Sequence, residues 1–167
     1  MTGNNKELPL EGIRVLAIEQ MQAVPFATQL MAHLGAEGVK VEHPVHGEAA
    51  RGALPSIEDV DGRPAGATFL RNNLGKKSVG IDLKAPRGVE LLKQLVPHYD
   101  VVAENFKPGT MERLGLGYDE LEKLHPGLVY VAVSGFGGKI TLTNTLESRL
   151  MLAYETRLPE LRRVLFA

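Results

Sequence analysis

Asp100-Val101-Val102-Ala103-Glu104-Asn105-Phe106-Lys107-Pro108-Gly109 begins as a short apolar run with β-branched residues, the pattern of a strand buried in a parallel sheet. It ends in Asn-Phe-Lys-Pro-Gly, which cannot continue a ladder: Pro108 has no N–H to give, and Gly109 permits a sharp turn. Thr110 is then placed to cap a helix beginning Met-Glu-Arg-Leu. Glu104, Asn105, Phe106 and Lys107 are therefore expected at the carboxyl end of a strand, on a loop entering a helix. In open α/β sheets that edge is where ligands bind. An amide, an aromatic face and a cation within three residues suit a nucleotide-like ligand with phosphates. A plain βα connection with Asn as its turn residue accounts for the same spacing.

Working outward, the chain repeats this alternation. Ile13-Arg14-Val15-Leu16-Ala17-Ile18 reads as the first strand, and Pro25 opens a helix over 26–34 that stops at Gly35. Val39-Lys40-Val41-Glu42 is the second strand, completing a βαβ unit. Residues 43–66 have turn chemistry throughout, and a loop of that length is functional or mobile. A strand over 78–83 follows, then a helix from Pro86 to about Val96 with Val89, Leu92 and Val96 as its stripe, widened by Leu91 and Leu95. After the strand over 100–104 come short helices over 111–114 and 119–124, with Asp119 as the N-cap of the second, and a last strand over 129–133. Strands alternating with helices predict an α/β fold: a Rossmann-like parallel sheet with helices on both faces. Beyond Gly138 the character changes. Leu146, Leu150, Tyr154 and Leu158 recur every four residues, and five Lys/Arg stand against three Glu. Two regions are expected, 8–138 as the sheet domain and 139–167 as a helical tail packing poorly on it.

Composition narrows the chemistry. The chain has 167 residues, enough for one domain with a core, and no cysteine, which excludes disulfides, thiolate metal sites and a cysteine nucleophile. A net charge of −1 and the lack of tryptophan give no general attraction to nucleic acid or to an anionic membrane. No apolar run approaches membrane length and the N-terminus is polar, so a cytoplasmic location is expected.

The first βα turn has Met21-Gln22-Ala23-Val24 where a nicotinamide site needs Gly-x-Gly-x-x-Gly, so dinucleotide oxidoreduction is disfavoured. Glu42 stands where a ribose-binding acid would, though a solvated strand-end carboxylate explains it equally. The histidines have no zinc spacing, and Ser134 lacks the nucleophile-elbow pattern. Lys76, Lys77 and Arg113 are candidate phosphate contacts or ordinary solvated cations.

Leu10-Glu11-Gly12-Ile13-Arg14-Val15-Leu16, Gly35-Ala36-Glu37, Asn73-Leu74-Gly75-Lys76-Lys77-Ser78, Ile81-Asp82-Leu83-Lys84, Glu104-Asn105-Phe106-Lys107-Pro108-Gly109, Leu114-Gly115-Leu116-Gly117-Tyr118 and Ser134-Gly135-Phe136-Gly137 together resemble family III CoA-transferases, with the related acyl-CoA racemases. The resemblance runs from about Leu8 to Gly138. It implies transfer of CoA between an acyl-CoA and a carboxylic acid, CoA as substrate with no tightly bound cofactor, and an interlocked homodimer. It implies that Gln22 sits beside the thioester as a helper and that His43 lies near the adenine. Ile81, Asp82, Leu83, Lys84, Asn105, Phe106, Lys107 and Arg113 would line the CoA site. Val24, Leu74 and Gly38 depart from the family's usual residues, and Gly38 should weaken its strand. The family's catalytic aspartate, which attacks the thioester to form an enzyme anhydride, follows the Ser-Gly-Phe-Gly segment. Here no aspartate follows Asp119 and no histidine follows His125. The expectation is a truncated chain, inactive alone; a non-catalytic CoA-binding or partner-binding module is the alternative.

Overall fold

The computed structural model describes residues 8–135. β1 (Arg14–Ile18) leads through α1 (Ala23–His33) to β2 (Glu37–Glu42). A long excursion follows: a 3-10 turn (Ala49–Gly52), the hairpin of β3 (Ser56–Glu58) and β4 (Pro64–Gly66), then α2 (Ala67–Asn73). β5 (Lys77–Gly80), α3 (Pro86–Leu95), β6 (Val101–Glu104), α4 (Thr110–Arg113), α5 (Tyr118–Leu124) and β7 (Val129–Ala132) complete the described chain. Five strands form one sheet in the order β5-β2-β1-β6-β7, every pair parallel. The chain runs outward from β1 to β5, then returns to the other side of β1. The order therefore reverses between β1 and β6, which is the switch point of a doubly wound sheet.

The two faces differ in substance. Leu16, Ile18, Val39, Val41 and Val102 pack under Leu92, Val96, Met111, Leu116, Leu121 and Leu128 in one large apolar cluster. The α1 face is thinner: Val15, Ala36 and Val101 with Leu10, Ile13 and Met31. Helices thus cover both faces, as the alternation predicts. On β2 the alternation puts Val39 and Val41 in the large cluster and Gly38, Lys40 and Glu42 on the α1 side, yet Lys40 and Glu42 are as buried as the valines.

α1 ends as Gly35 predicts. Gly35 has φ +105°, its N–H donates to Ala32 O (3.1 Å), and Ala36 N–H donates to Met31 O (3.0 Å), a Schellman cap. α1 starts at Ala23, ahead of the expected residue 26, with Pro25 inside its first turn. Residues 43–66 are not an unstructured loop: Asp59 Oδ1 accepts from Asp61 and Arg63 amides (both 2.9 Å) to close the β3–β4 hairpin. α2 follows no helix signal in the residue pattern. β5 stops at Gly80, not at residue 83, because Gly80 packs on Pro44 and Asp82 Oδ1 turns the chain by accepting Lys84 N–H (2.9 Å). Leu91 is exposed rather than part of the α3 stripe. The N-caps of α4 and α5 are Gly109 and Gly117, one and two residues ahead of the expected Thr110 and Asp119. Gly38 leaves β2 intact, and a Cβ there would stand 3.2 Å from Lys76 Cγ, so the glycine makes room for the Lys76 stem. The tail expected over 139–167 lies outside the described residues.

Candidate functional site

A cavity of about 260 Å³ opens at the carboxyl edge of the sheet, beside the switch point. It is lined by the end of β2 (Val41 and Glu42) and by segments that follow strands: Glu19 and Gln20 after β1, His43, Gly47 and Glu48 after β2, residues 81–84 after β5, and Phe106, Thr110 and Leu114 after β6. Val41, Ile81, Leu83, Phe106 and Leu114 give it apolar walls. Its volume lies just under the ~300–1,000 Å³ of whole-ligand pockets, which suits one end of a long ligand laid across the strand ends.

Of the residues named from the sequence, His43, Ile81, Asp82, Leu83, Lys84 and Phe106 meet in this cavity. Asn105 does not line it. Its amide joins two strand-end loops instead: Oδ1 accepts Gln20 N–H (2.9 Å) and Nδ2 donates to Gln20 O (2.8 Å). Arg113 is exposed and donates to Thr110 Oγ1 (2.9 Å), one hydrogen bond from the wall, and Lys107 is exposed on the same loop. Gln22 is the half-buried N-cap residue of α1, one turn away from the wall. His43 Nδ1 accepts from the Val45 and His46 amides (3.2 Å each), and its ring stacks on His46 at 4.9 Å.

Beneath the cavity lies a charge network that the residue pattern did not announce. Glu19 takes Lys76 Nζ at 2.6 Å and Lys40 Nζ at 3.4 Å on one oxygen, and Thr28 Oγ1 donates to the other at 2.7 Å. Lys40 also reaches Glu48 Oε2 at 2.9 Å. The Lys40, Glu19, Glu48 and Lys76 side chains are 0–2% exposed. Burial pulls Lys76 below the ordinary lysine pKa, against the attraction of Glu19. Glu42 is likewise no solvated strand end: Arg51 grips it with Nε (2.7 Å) and Nη2 (2.8 Å), Ser78 Oγ donates at 2.7 Å, and the Glu48 amide at 3.1 Å. Burial pushes the Glu42 carboxyl up, but the hydrogen bonds from Arg51 and Ser78 win and hold it below the usual range. Arg51 lies 3.8 Å from the Phe69 ring centroid, a cation–π contact. Lys76 and Lys77 do not line the cavity: one is buried on Glu19, the other pairs with Glu37 on the surface.

With three acids and three bases consumed by one another, the charges left facing the cavity are Asp82 and Lys84, and Lys84 makes no ion pair among the described residues. On the opposite face of the sheet, burial lifts the Glu104 carboxyl above the usual range, although it accepts the Phe106 amide at 2.7 Å. The Tyr130 hydroxyl is buried beside it.

One backbone position is strained. Met21 is the one non-glycine residue with positive φ (+63°) among the described residues, a conformation worth about 1–2 kcal/mol of strain for an L-residue. It sits where the chain turns from β1 into α1.

Residues 10–146 match the family described as CoA-transferase family III. The succinyl-CoA–D-citramalate CoA-transferase of Chloroflexus aurantiacus is 45% identical over 137 residues, 82% of this chain and 33% of that protein. The formyl-CoA:oxalate CoA-transferase of Streptomyces coelicolor is 43% identical over 128 residues, 77% of this chain and 30% of that protein. A crystal structure of a CAIB/BAIF family protein from Brucella suis superposes with a TM-score of 0.75 at 37% identity, covering 81% of this chain and 35% of that one. The chain spans about a third of the length of the curated relatives it matches, in their N-terminal part. On a shared sequence over four-fifths of its length and a shared fold, this chain belongs to CoA-transferase family III.

Proposed function

We propose that this chain is the CoA-binding part of a CoA-transferase that moves CoA between an acyl-CoA and a carboxylic acid, and that by itself it binds acyl-CoA without turning it over. One observation carries the reading: His43, Ile81, Asp82, Leu83, Lys84 and Phe106 converge on one cavity at the switch point from three separate strand-end loops. Apolar walls with the Phe106 ring suit a purine, and Lys84 suits a phosphate. Lys107 and Arg113 extend the cationic side along the β6–α4 loop, and Gln22 stands toward the thioester end. Asn105 contributes by holding the Gln20 backbone in the cavity wall. The same reading takes CoA as a substrate rather than a resident cofactor, and a cytoplasmic location fits a chain without cysteine.

Turnover needs a carboxylate within bonding reach of the thioester carbonyl, in a pocket that excludes water. Of the carboxylates lining the cavity, Glu19, Glu42 and Glu48 are tied to Lys40, Lys76 and Arg51, Asp82 has one oxygen held by the Lys84 amide at 2.9 Å, and no aspartate follows Asp119 in the 167 residues. Calorimetric titration with CoA tests binding. Lys84→Ala, Lys107→Ala and Arg113→Ala should each weaken it by about 1–3 kcal/mol through lost charge-assisted contacts. Unchanged affinity in all three removes the assignment. Incubation with an acyl-CoA and hydroxylamine should trap no acyl-enzyme; a trapped adduct overturns the claim of no turnover.

A further inference from the structure

We infer that Glu48 is a positioning residue that holds the strained turn at Met21, and with it Gln22, against the edge of the cavity. The inference rests on the CoA reading above and adds a residue that the reading does not use. Both peptide groups of Met21 are tethered by side chains from the excursion between β2 and β5. Its N–H donates to Glu48 Oε2 at 3.2 Å, and its C=O accepts from Asn72 Nδ2 at 3.3 Å. Glu48 is itself immobilised: Lys40 Nζ lies 2.9 Å from the same oxygen, and the Ala50 amide donates to the other at 3.1 Å. Asn72 is 1% exposed. A left-handed non-glycine residue persists only where its surroundings over-determine it, and here two buried side chains 27 and 51 residues away do so. The next residue is Gln22, which caps α1 with no side-chain capping bond of its own. Its backbone is held between the Met21 turn and α1, whose Phe26 N–H donates to Gln22 O at 2.8 Å, and no capping bond fixes its side chain.

The competing account is that Glu48 only neutralises Lys40. The two differ in what a glycine at position 21 does, because glycine adopts positive φ freely and leaves the Lys40 charge untouched. The test titrates the full chain with acetyl-CoA and, separately, with adenosine 3′,5′-bisphosphate, which lacks the thioester arm. Glu48→Ala and Asn72→Ala should each weaken acetyl-CoA binding about tenfold, the factor that the strain of one left-handed residue is worth, with much less effect on the bisphosphate. Adding Met21→Gly to either should restore most of the loss. Equal weakening of both ligands, or no rescue by Met21→Gly, overturns the inference and leaves Glu48 as a counter-ion. Should Glu48→Ala fail to fold, Asn72→Ala with and without Met21→Gly decides alone. If the unsubstituted chain binds neither ligand, the CoA reading has failed separately. Amide exchange then decides the turn: Met21 N–H should lose protection in Asn72→Ala and Glu48→Ala while the amides of α3 keep theirs, and retained protection overturns it.

Discussion

Lys40 and Glu48 meet at 2.9 Å with 1% and 2% of their side chains exposed. Burying two charges is expensive, and breaking such a pair strands the survivor. Lys40→Met should therefore destabilise the chain by about 3–5 kcal/mol in urea unfolding, and Lys40→Met with Glu48→Gln should recover part of that by removing one stranded charge. Two other carboxylates respond to pH with opposite sign. Glu42 has its folded pKa depressed by Arg51 and Ser78 against burial, so its contribution is full above the ordinary carboxylate value and is lost as pH falls through the folded one. Glu104 has its folded pKa raised by burial, so its contribution is full below the ordinary value and is lost as pH rises through the folded one. Thermal unfolding across pH should then show Glu42→Gln flattening the acid limb. Glu104→Gln, which still offers an oxygen to the Phe106 amide, should lose no stability at neutral pH. A Glu104→Gln variant markedly weaker at pH 7 would mean that the ionised carboxylate is favoured where it sits.

At the scale of elements, the close approaches matter more than helix propensity. α4 and α5 have four and seven residues, too short to stand alone in water. Met111, Leu116 and Leu121, at 0–1% exposure, hold them on the sheet. α3 comes down on the loop that lines the cavity, and Gly88 permits it: a Cβ there would stand 2.0 Å from Asp82 O. Gly88→Ala should cost about 1–3 kcal/mol as overpacking and displace residues 81–84, so CoA affinity should fall along with stability in urea titration and calorimetry. A variant that keeps both would place α3 farther from Asp82 than the structure has it. The excursion between β2 and β5 is likewise a functional element. Its 3-10 turn and the N-cap residue before it supply Arg51 and Glu48, and α2 supplies Asn72 and Phe69 to the floor and brace of the site.

For the whole molecule, among the described residues no helix is long and apolar enough to cross a membrane, and the open end of the sheet is the place for a ligand. Saturating CoA at a hundredfold excess over Kd should stabilise the chain by about 2.7 kcal/mol and raise Tm by about 5–10 °C; no shift in differential scanning fluorimetry would argue against binding. Much of this architecture was legible in the residues alone. The runs Val15-Leu16-Ala17-Ile18 and Val101-Val102-Ala103, the Pro86 start of α3 and the Gly35 end of α1 are local signals, and they determined five parallel strands with helices between them. The sequence by itself also placed Phe106 at a strand end, because turn chemistry says where a strand must stop, but it kept residues 81–83 inside a strand that the structure ends at Gly80. What it could not determine was which polar side chains turn inward. Lys40 and Glu42 alternate with valines on β2 as a solvated strand face would, and only the tertiary structure buries them, under α1 and the 3-10 turn. The partners that make burial possible lie far off in the chain: Lys76 is 57 residues from Glu19, Asn72 is 51 from Met21, and Asn105 is 85 from Gln20. A periodicity records which face a residue shares with its near neighbours. Whether that face meets water or an opposite charge is decided by chain segments that arrive from elsewhere.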